Sequence, residues 1–72
     1  MTDMTPQEIF ELIVKADEKL KYATAARTDQ RRDQARDLLV RARDAAAAIG
    51  NDGLVTQAET RLNDLDAEGD EG

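Results

Sequence analysis

The clearest structural signal in the sequence is the stretch Met4-Thr5-Pro6-Gln7-Glu8-Ile9. Thr5 is a residue type that caps helix N-termini, and Pro6 follows at the first helical position, where its missing N–H costs nothing. Glu8 stands where its side chain can bond back to the Thr5 backbone and complete a capping box, while Met4 and Ile9 are placed as a hydrophobic staple. The stretch therefore predicts the start of an amphipathic helix.

Three segments with helical periodicity fill the chain and predict an all-α fold. At about 100° per residue, the apolar residues of each segment fall on one side of a helix. We expect the helices at about residues 6–27, 30–49 and 53–66. The predicted buried positions are Ile9, Leu12, Ile13, Ala16, Leu20 and Ala23 in the first helix, Ala35, Leu38, Leu39, Ala42, Ala46 and Ile49 in the second, and Leu54, Val55, Ala58, Leu62 and Leu65 in the third.

The connections between these helices are short, so neighbouring helices should pack antiparallel as a three-helix bundle. Thr28-Asp29 offers an N-cap for the second helix, and because no Gly or Pro separates the first two segments, the alternative to this turn is one helix that runs on. Gly50 predicts a left-handed stop after the second helix, and Asn51-Asp52-Gly53 supplies a turn and a cap for the third. We predict one domain over residues 1–66 and a disordered acidic tail over residues 67–72.

The composition predicts a protein without catalytic or cofactor chemistry. The chain has no histidine for acid–base work, no cysteine for nucleophilic, metal or redox chemistry, and no serine. We therefore expect no enzyme activity, metal site, cofactor or small-molecule substrate. The apolar runs are too short to span a membrane, and Asp3 stands where a signal peptide would carry basic residues. The expected location is the cytoplasm.

The net charge of −6 is unevenly distributed along the chain. Residues 31–49 carry five arginines and three aspartates, whereas residues 50–72 carry one arginine and seven acidic side chains. Phosphate backbones and anionic lipids repel an acidic chain, so nucleic acid and membrane are disfavoured as partners. A nucleic-acid regulator would have to rely on Arg31, Arg32, Arg36 and Arg43.

The arginines of the second helix form the first candidate binding surface. Arg32, Arg36 and Arg43 fall on one flank of the apolar stripe, and we call them the arginine row. Guanidinium groups bind carboxylates bidentately, so an acidic peptide is the matching ligand. A second interpretation, which we favour, is a solvated helix with the local ion pairs Asp33–Arg36 and Asp37–Arg41. A third is that the acidic tail folds back on the arginine row and competes with any ligand.

Phe10 and Val14 form the second candidate surface, because this i,i+4 pair lies off the main apolar stripe of the first helix. The favoured interpretation is that the first helix packs against both other helices and so buries the pair. The alternative is an exposed anchor for a partner protein or for a second copy of the chain. Tyr22 lies on another face, as a single contact residue or as an ordinary surface tyrosine.

The second helix resembles part of a known family of repeats. Ala35-x3-Leu39-x2-Ala42, followed by Ile49-Gly50-Asn51-Asp52, is similar to the second helix and exit turn of a tetratricopeptide repeat. The resemblance covers roughly residues 16–65. It implies a helical hairpin with a following capping helix, and a peptide- or protein-binding scaffold without catalysis.

The first helix departs from the tetratricopeptide pattern. The family's large aromatic, Leu-Gly and Tyr correspond here to Lys19, Tyr22-Ala23 and Ala26, of which only the small residue Ala23 fits. The usual proline at the repeat end corresponds to Ala47. A three-helix hairpin of the microtubule-interacting-and-transport type has a similar length and stays open as an alternative.

Two classes of function are compatible with these features. The first is a non-catalytic protein–protein interaction module that binds another protein or a peptide through Phe10 and Val14 or through the arginine row. The second is a self-associating structural protein that forms a homo-oligomer through its exposed apolar residues. A small regulatory nucleic-acid-binding protein is a weaker third. We favour the interaction module.

Overall fold

The computed structural model of the protein describes residues 4–21 and 28–69, and it confirms the all-α fold. Within them lie three helices, α1 (Pro6–Lys21), α2 (Thr28–Ala48) and α3 (Asp52–Gly69), and the described residues contain no β-strand. Both α1 and α3 pack along α2, whereas they approach each other closely at few positions. The fold is a three-helix bundle with α2 at its centre.

Contacts between helix ends show the direction of packing. Arg32, near the start of α2, donates a hydrogen bond to the carbonyl oxygen of Leu65, near the end of α3. Lys19 near the end of α1 and Arg31 near the start of α2 line the same shallow depression. Each pair of consecutive helices is therefore antiparallel, which leaves α1 and α3 running in the same direction.

The N-terminus of α1 has the capping box that the sequence predicts. The Glu8 backbone N–H donates to Thr5 Oγ1 at 3.2 Å, and the Thr5 backbone N–H donates to Glu8 Oε1 at 2.9 Å. Met4 packs against the core cluster that contains the fully buried Ile9, as a hydrophobic staple requires. These bonds satisfy N–H groups that the first turn of a helix otherwise leaves unpaired.

The turn between α2 and α3 is built on Gly50 and Asn51. Gly50 has a φ of 72°, the left-handed conformation predicted for the stop of the second helix. The Gly50 N–H bonds to the Ala47 carbonyl at 3.1 Å and the Asn51 N–H to the Ala46 carbonyl at 2.8 Å, which is the Schellman pattern. Asn51 Oδ1 then accepts from the Leu54 N–H at 3.1 Å and so caps α3.

Two helix boundaries differ from the sequence prediction by two residues or more, and a third is not tested. The predicted continuation of the first helix to residue 27 lies outside the described residues. Helix α2 begins at Thr28, two residues before the predicted start, so the expected capping residues belong to its first turn. Helix α3 extends to Gly69, so residues 67–69 continue the helix where we expected the disordered tail to begin. Residues 70–72 lie outside the described residues.

The buried core follows the predicted apolar stripes. Among the described residues, the buried apolar side chains are Ile9, Ile13, Ala16, Ala35, Leu39, Ala42, Ala46, Leu54, Ala58, Leu62 and Leu65, all of them predicted. The remaining predicted positions are partly buried against this cluster, except Ala23, which lies outside the described residues. Val40 and Ala45 also pack partly against the core without having been predicted.

Alanine makes up much of this core. Five of the eleven buried apolar residues are alanines, and the largest fully buried side chains are Ile9, Ile13 and Leu39. Small side chains let helix backbones approach closely, but each removes little apolar area from water, at roughly 25 cal/mol per Å². The bundle therefore depends strongly on its few large buried side chains.

Candidate functional site

The outer face of α1 carries an apolar residue that the bundle leaves exposed. Phe10 is 47% exposed, and every other large apolar side chain among the described residues is less exposed. Val14, one turn further along the helix, is half-buried. Together they line a shallow, open depression whose other lining residues are Gln7, Glu11, Lys15 and Glu18. We call these six residues the outer face of α1.

The exposure of Phe10 contradicts the favoured expectation that the first helix buries it between two neighbours. Phe10 lies about 100° around the helix from the fully buried Ile9, so it lies off the buried stripe of α1. Helix α3 does not cover it either, because α1 and α3 approach each other closely at few positions. The alternative, an exposed anchor, is the one that agrees with the geometry.

An ion pair between Asp17 and Arg61 connects α1 to α3 beside this face. Arg61 Nε donates to Asp17 Oδ1 at 3.0 Å and to Oδ2 at 3.1 Å, and Arg61 Nη1 donates to the Gln57 carbonyl at 3.2 Å. Sequence reasoning missed this pair. Its one signal was that Arg61 is the sole basic residue in residues 50–72 and lies at the edge of the third apolar stripe.

Two members of the arginine row make contacts with α3 inside the bundle. Arg32 Nη2 donates to the Leu65 carbonyl at 2.7 Å, and Arg36 Nη1 pairs with Asp66 Oδ1 at 2.6 Å. Both contacts hold the C-terminal part of α3 against α2. The third member, Arg43, pairs with its neighbour Asp44 at 3.2 Å. Two of the three arginines therefore bind α3, and the third pairs within α2.

The local ion pair expected between Asp33 and Arg36 gives way to the longer-range pair with Asp66. For Asp37 and Arg41, no ion pair is found within residues 4–21 and 28–69. The pair with Asp66 forms because antiparallel packing brings the end of α3 beside the start of α2. Asp66 belongs to α3, and the predicted fold-back concerns residues 67–72, whose side chains lie outside the described residues.

The remaining predictions concern Tyr22, metal ions and the membrane. Tyr22 lies outside the described residues. The part of the chain that the structure describes contains no group of three acidic side chains arranged to hold a metal ion. None of the described helices is long and apolar enough to cross a membrane.

The rim of the outer face was also missing from the sequence prediction. Gln7, Glu11, Lys15 and Glu18 are all exposed and line the same depression as Phe10 and Val14. Helical spacing could have found them, because residues three, four, seven and eight apart share one side of a helix.

Similarity to known proteins does not assign a function to these surfaces. No family model, no curated protein and no solved structure matches this chain. The geometry offers two distinct surfaces: one helix face that the bundle leaves uncovered, and one arginine row of which two members hold α3.

Proposed function

We propose that the protein is a non-catalytic protein–protein interaction module that binds its partner through the outer face of α1. The observation that carries this proposal is the exposure of Phe10 on a helix face that neither α2 nor α3 covers. Aromatic residues are enriched among the side chains that dominate binding energy at protein interfaces. A small domain with few large apolar residues gains nothing for its own stability by leaving one in water.

The surroundings of Phe10 support a protein partner. Val14 extends the apolar surface by one helical turn, and the rim has carboxylate, ammonium and amide groups. An apolar centre with a polar rim is the usual anatomy of a protein interface. The resemblance of the second helix and its exit turn to a tetratricopeptide repeat supports the same class of function, since that family consists of binding scaffolds.

The arginine row is a weaker candidate for the docking surface. An acidic ligand would have to displace the hydrogen bond from Arg32 to Leu65 and the ion pair between Arg36 and Asp66. The same competition, together with the net charge of −6, counts against a nucleic-acid partner. The outer face of α1 requires no such rearrangement.

Photocrosslinking at position 10 tests the proposal. A benzophenone side chain replaces Phe10 in the full chain, in the cells from which the protein comes. The matched control carries the same group in place of Thr60, which is exposed on α3. We expect discrete crosslinked products from position 10 and none from position 60. Mass spectrometry of each product identifies the protein that was bound.

A second substitution makes the result specific to the outer face. Val14→Lys places a charge within the apolar surface, and it should remove the crosslink at position 10 while circular dichroism shows an unchanged helical spectrum. Equal products from both positions, a crosslink that survives Val14→Lys, or no product from position 10 would each overturn the proposal.

A further inference from the structure

We infer that the partner on the outer face of α1 is a second copy of this chain, docked with its own α1 antiparallel across a two-fold axis. The inference rests on the proposed function, because it names the occupant of the same face. Two observations carry it: the positions of Phe10 and Val14 along the helix, and the order of the charges beside them.

The apolar pair is complementary to its own inverted copy. In a two-fold contact the same surface of both subunits meets, and antiparallel helices pair residues whose numbers add to a constant. An axis that crosses α1 between residues 12 and 13 brings Phe10 of one copy beside Val14 of the other. The mismatch is one residue, about 1.5 Å along the helix. Each large ring thus meets the smaller side chain of its mate.

The charges on the rim are complementary under the same axis. A two-fold rotation brings the rim of one copy against the rim of the other. Lys15 then lies beside Glu11 of the second copy, again within about 1.5 Å along the helix, and the reciprocal pair forms at the other end. Gln7 falls level with Glu18 of the second copy and can donate its amide to that carboxylate. No like charges are brought into direct opposition.

These rim charges are available for such contacts. Glu11 and Lys15 are exposed, and within the described residues neither takes part in an ion pair. By contrast, Asp17, on the other side of Phe10, is already held by Arg61. On the side of the apolar pair that faces α3, Asp17 is thus paired within the bundle. On the rim side, Glu11 and Lys15 are complementary in charge to the same residues of an inverted second copy.

The small size of the apolar surface sets the expected affinity. A stable interface buries about 1,200–2,000 Å², and a contact between two single helices with one aromatic residue each falls below this range. We therefore expect a weak, reversible dimer with a dissociation constant on the order of 100 μM. The net charge of −6 on each copy opposes association, so moderate salt is needed to screen it.

Sedimentation equilibrium of the full chain, from about 10 μM to 1 mM in moderate salt, measures this association. Phe10→Ala should abolish the dimer over this range. Lys15→Glu and Glu11→Lys should each weaken it about tenfold, because each replaces two attractive contacts by two repulsive ones. The double variant Glu11→Lys with Lys15→Glu restores opposite charges at both contacts and should recover the wild-type dissociation constant.

Two controls separate the contact from net charge. Glu59→Lys on α3 makes the same charge change as Glu11→Lys, and Arg41→Glu on α2 makes nearly the same change as Lys15→Glu. Both controls alter exposed residues away from the outer face of α1. We expect Glu59→Lys not to weaken the dimer, and Arg41→Glu to weaken it less than Lys15→Glu does.

The outcomes distinguish this inference from the function on which it rests. A wild-type protein that stays monomeric at 1 mM, while position 10 crosslinks to a different protein, would overturn the self-association and keep the interaction module. A dimer insensitive to Phe10→Ala, or one that the double charge exchange fails to restore, would overturn the antiparallel α1 contact. A crosslinked product with the mass of two chains would support both.

Discussion

Gly50 in the α2–α3 turn and Gly53 in the first turn of α3 have different backbone conformations. Gly50 has a φ of 72°, and the space around its missing Cβ is open. Gly53 has an ordinary helical backbone, and a Cβ there would meet Asn51 Oδ1 at 3.6 Å, which is normal contact. The left-handed backbone therefore favours glycine at position 50 alone.

The same substitution should have opposite effects at these two residues. Gly50→Ala should cost about 1 kcal/mol, because an L-residue is strained in the left-handed conformation. Gly53→Ala should increase the free energy of unfolding by up to about 1 kcal/mol, because Gly53 is helical in the folded protein and alanine lowers the conformational entropy of the unfolded chain. Urea unfolding followed by circular dichroism measures both changes. A gain at position 50, or a loss at position 53, would contradict the turn described above.

At the scale of the elements, the end of α3 depends on Arg32. Its guanidinium donates to the Leu65 carbonyl, close to the helix C-terminus, where the backbone carbonyls carry negative partial charge. Arg32→Met keeps much of the aliphatic stem and removes this donor. We expect a loss of about 1 kcal/mol in the free energy of unfolding and faster amide exchange in the last turns of α3.

Arg41→Met is the matched control for the Arg32 prediction. Arg41 lies on the same helix and is exposed, so its replacement should change stability by less than about 0.5 kcal/mol. Amide exchange measured by NMR locates the effect. If both variants exchanged alike throughout α3, the bond from Arg32 would not be what holds the end of that helix.

The range of an interaction decides whether the sequence could predict it. The capping box of α1 and the cap of α3 join residues three positions apart, so their residue types identify them without the fold. The buried stripes follow from helical periodicity in the same way. Gly50 was predictable because a left-handed stop after an apolar stripe is a local requirement.

Contacts between helices could not be predicted from residues that are close together in the sequence. The bond from Arg32 to Leu65 spans 33 positions, and the pair between Asp17 and Arg61 spans 44. The sequence offers Asp33 as a nearer partner for Arg36, and only the antiparallel packing of α2 and α3 makes Asp66 the partner instead. The exposure of Phe10 depends likewise on how closely α1 approaches α3.

At the scale of the whole molecule, α2 is the helix that packs against both of the others. A chain of 72 residues has about 4–11 kcal/mol of stability. Leu39 is fully buried on the helix that contacts both others, and it is one of the three largest fully buried side chains in the described residues. Leu39→Ala should therefore cost about 2–5 kcal/mol. Urea unfolding followed by circular dichroism measures the loss.

Comparing Leu38→Ala with Leu39→Ala separates the effect of burial from the effect of residue type. Leu38→Ala removes the same atoms from the neighbouring position, which is only half-buried, so its cost should be clearly smaller. Because α2 contacts both α1 and α3, a cavity at Leu39 should weaken all three helices together, and unfolding should stay cooperative. Equal losses at the two positions would mean that α2 presents a different side to its neighbours.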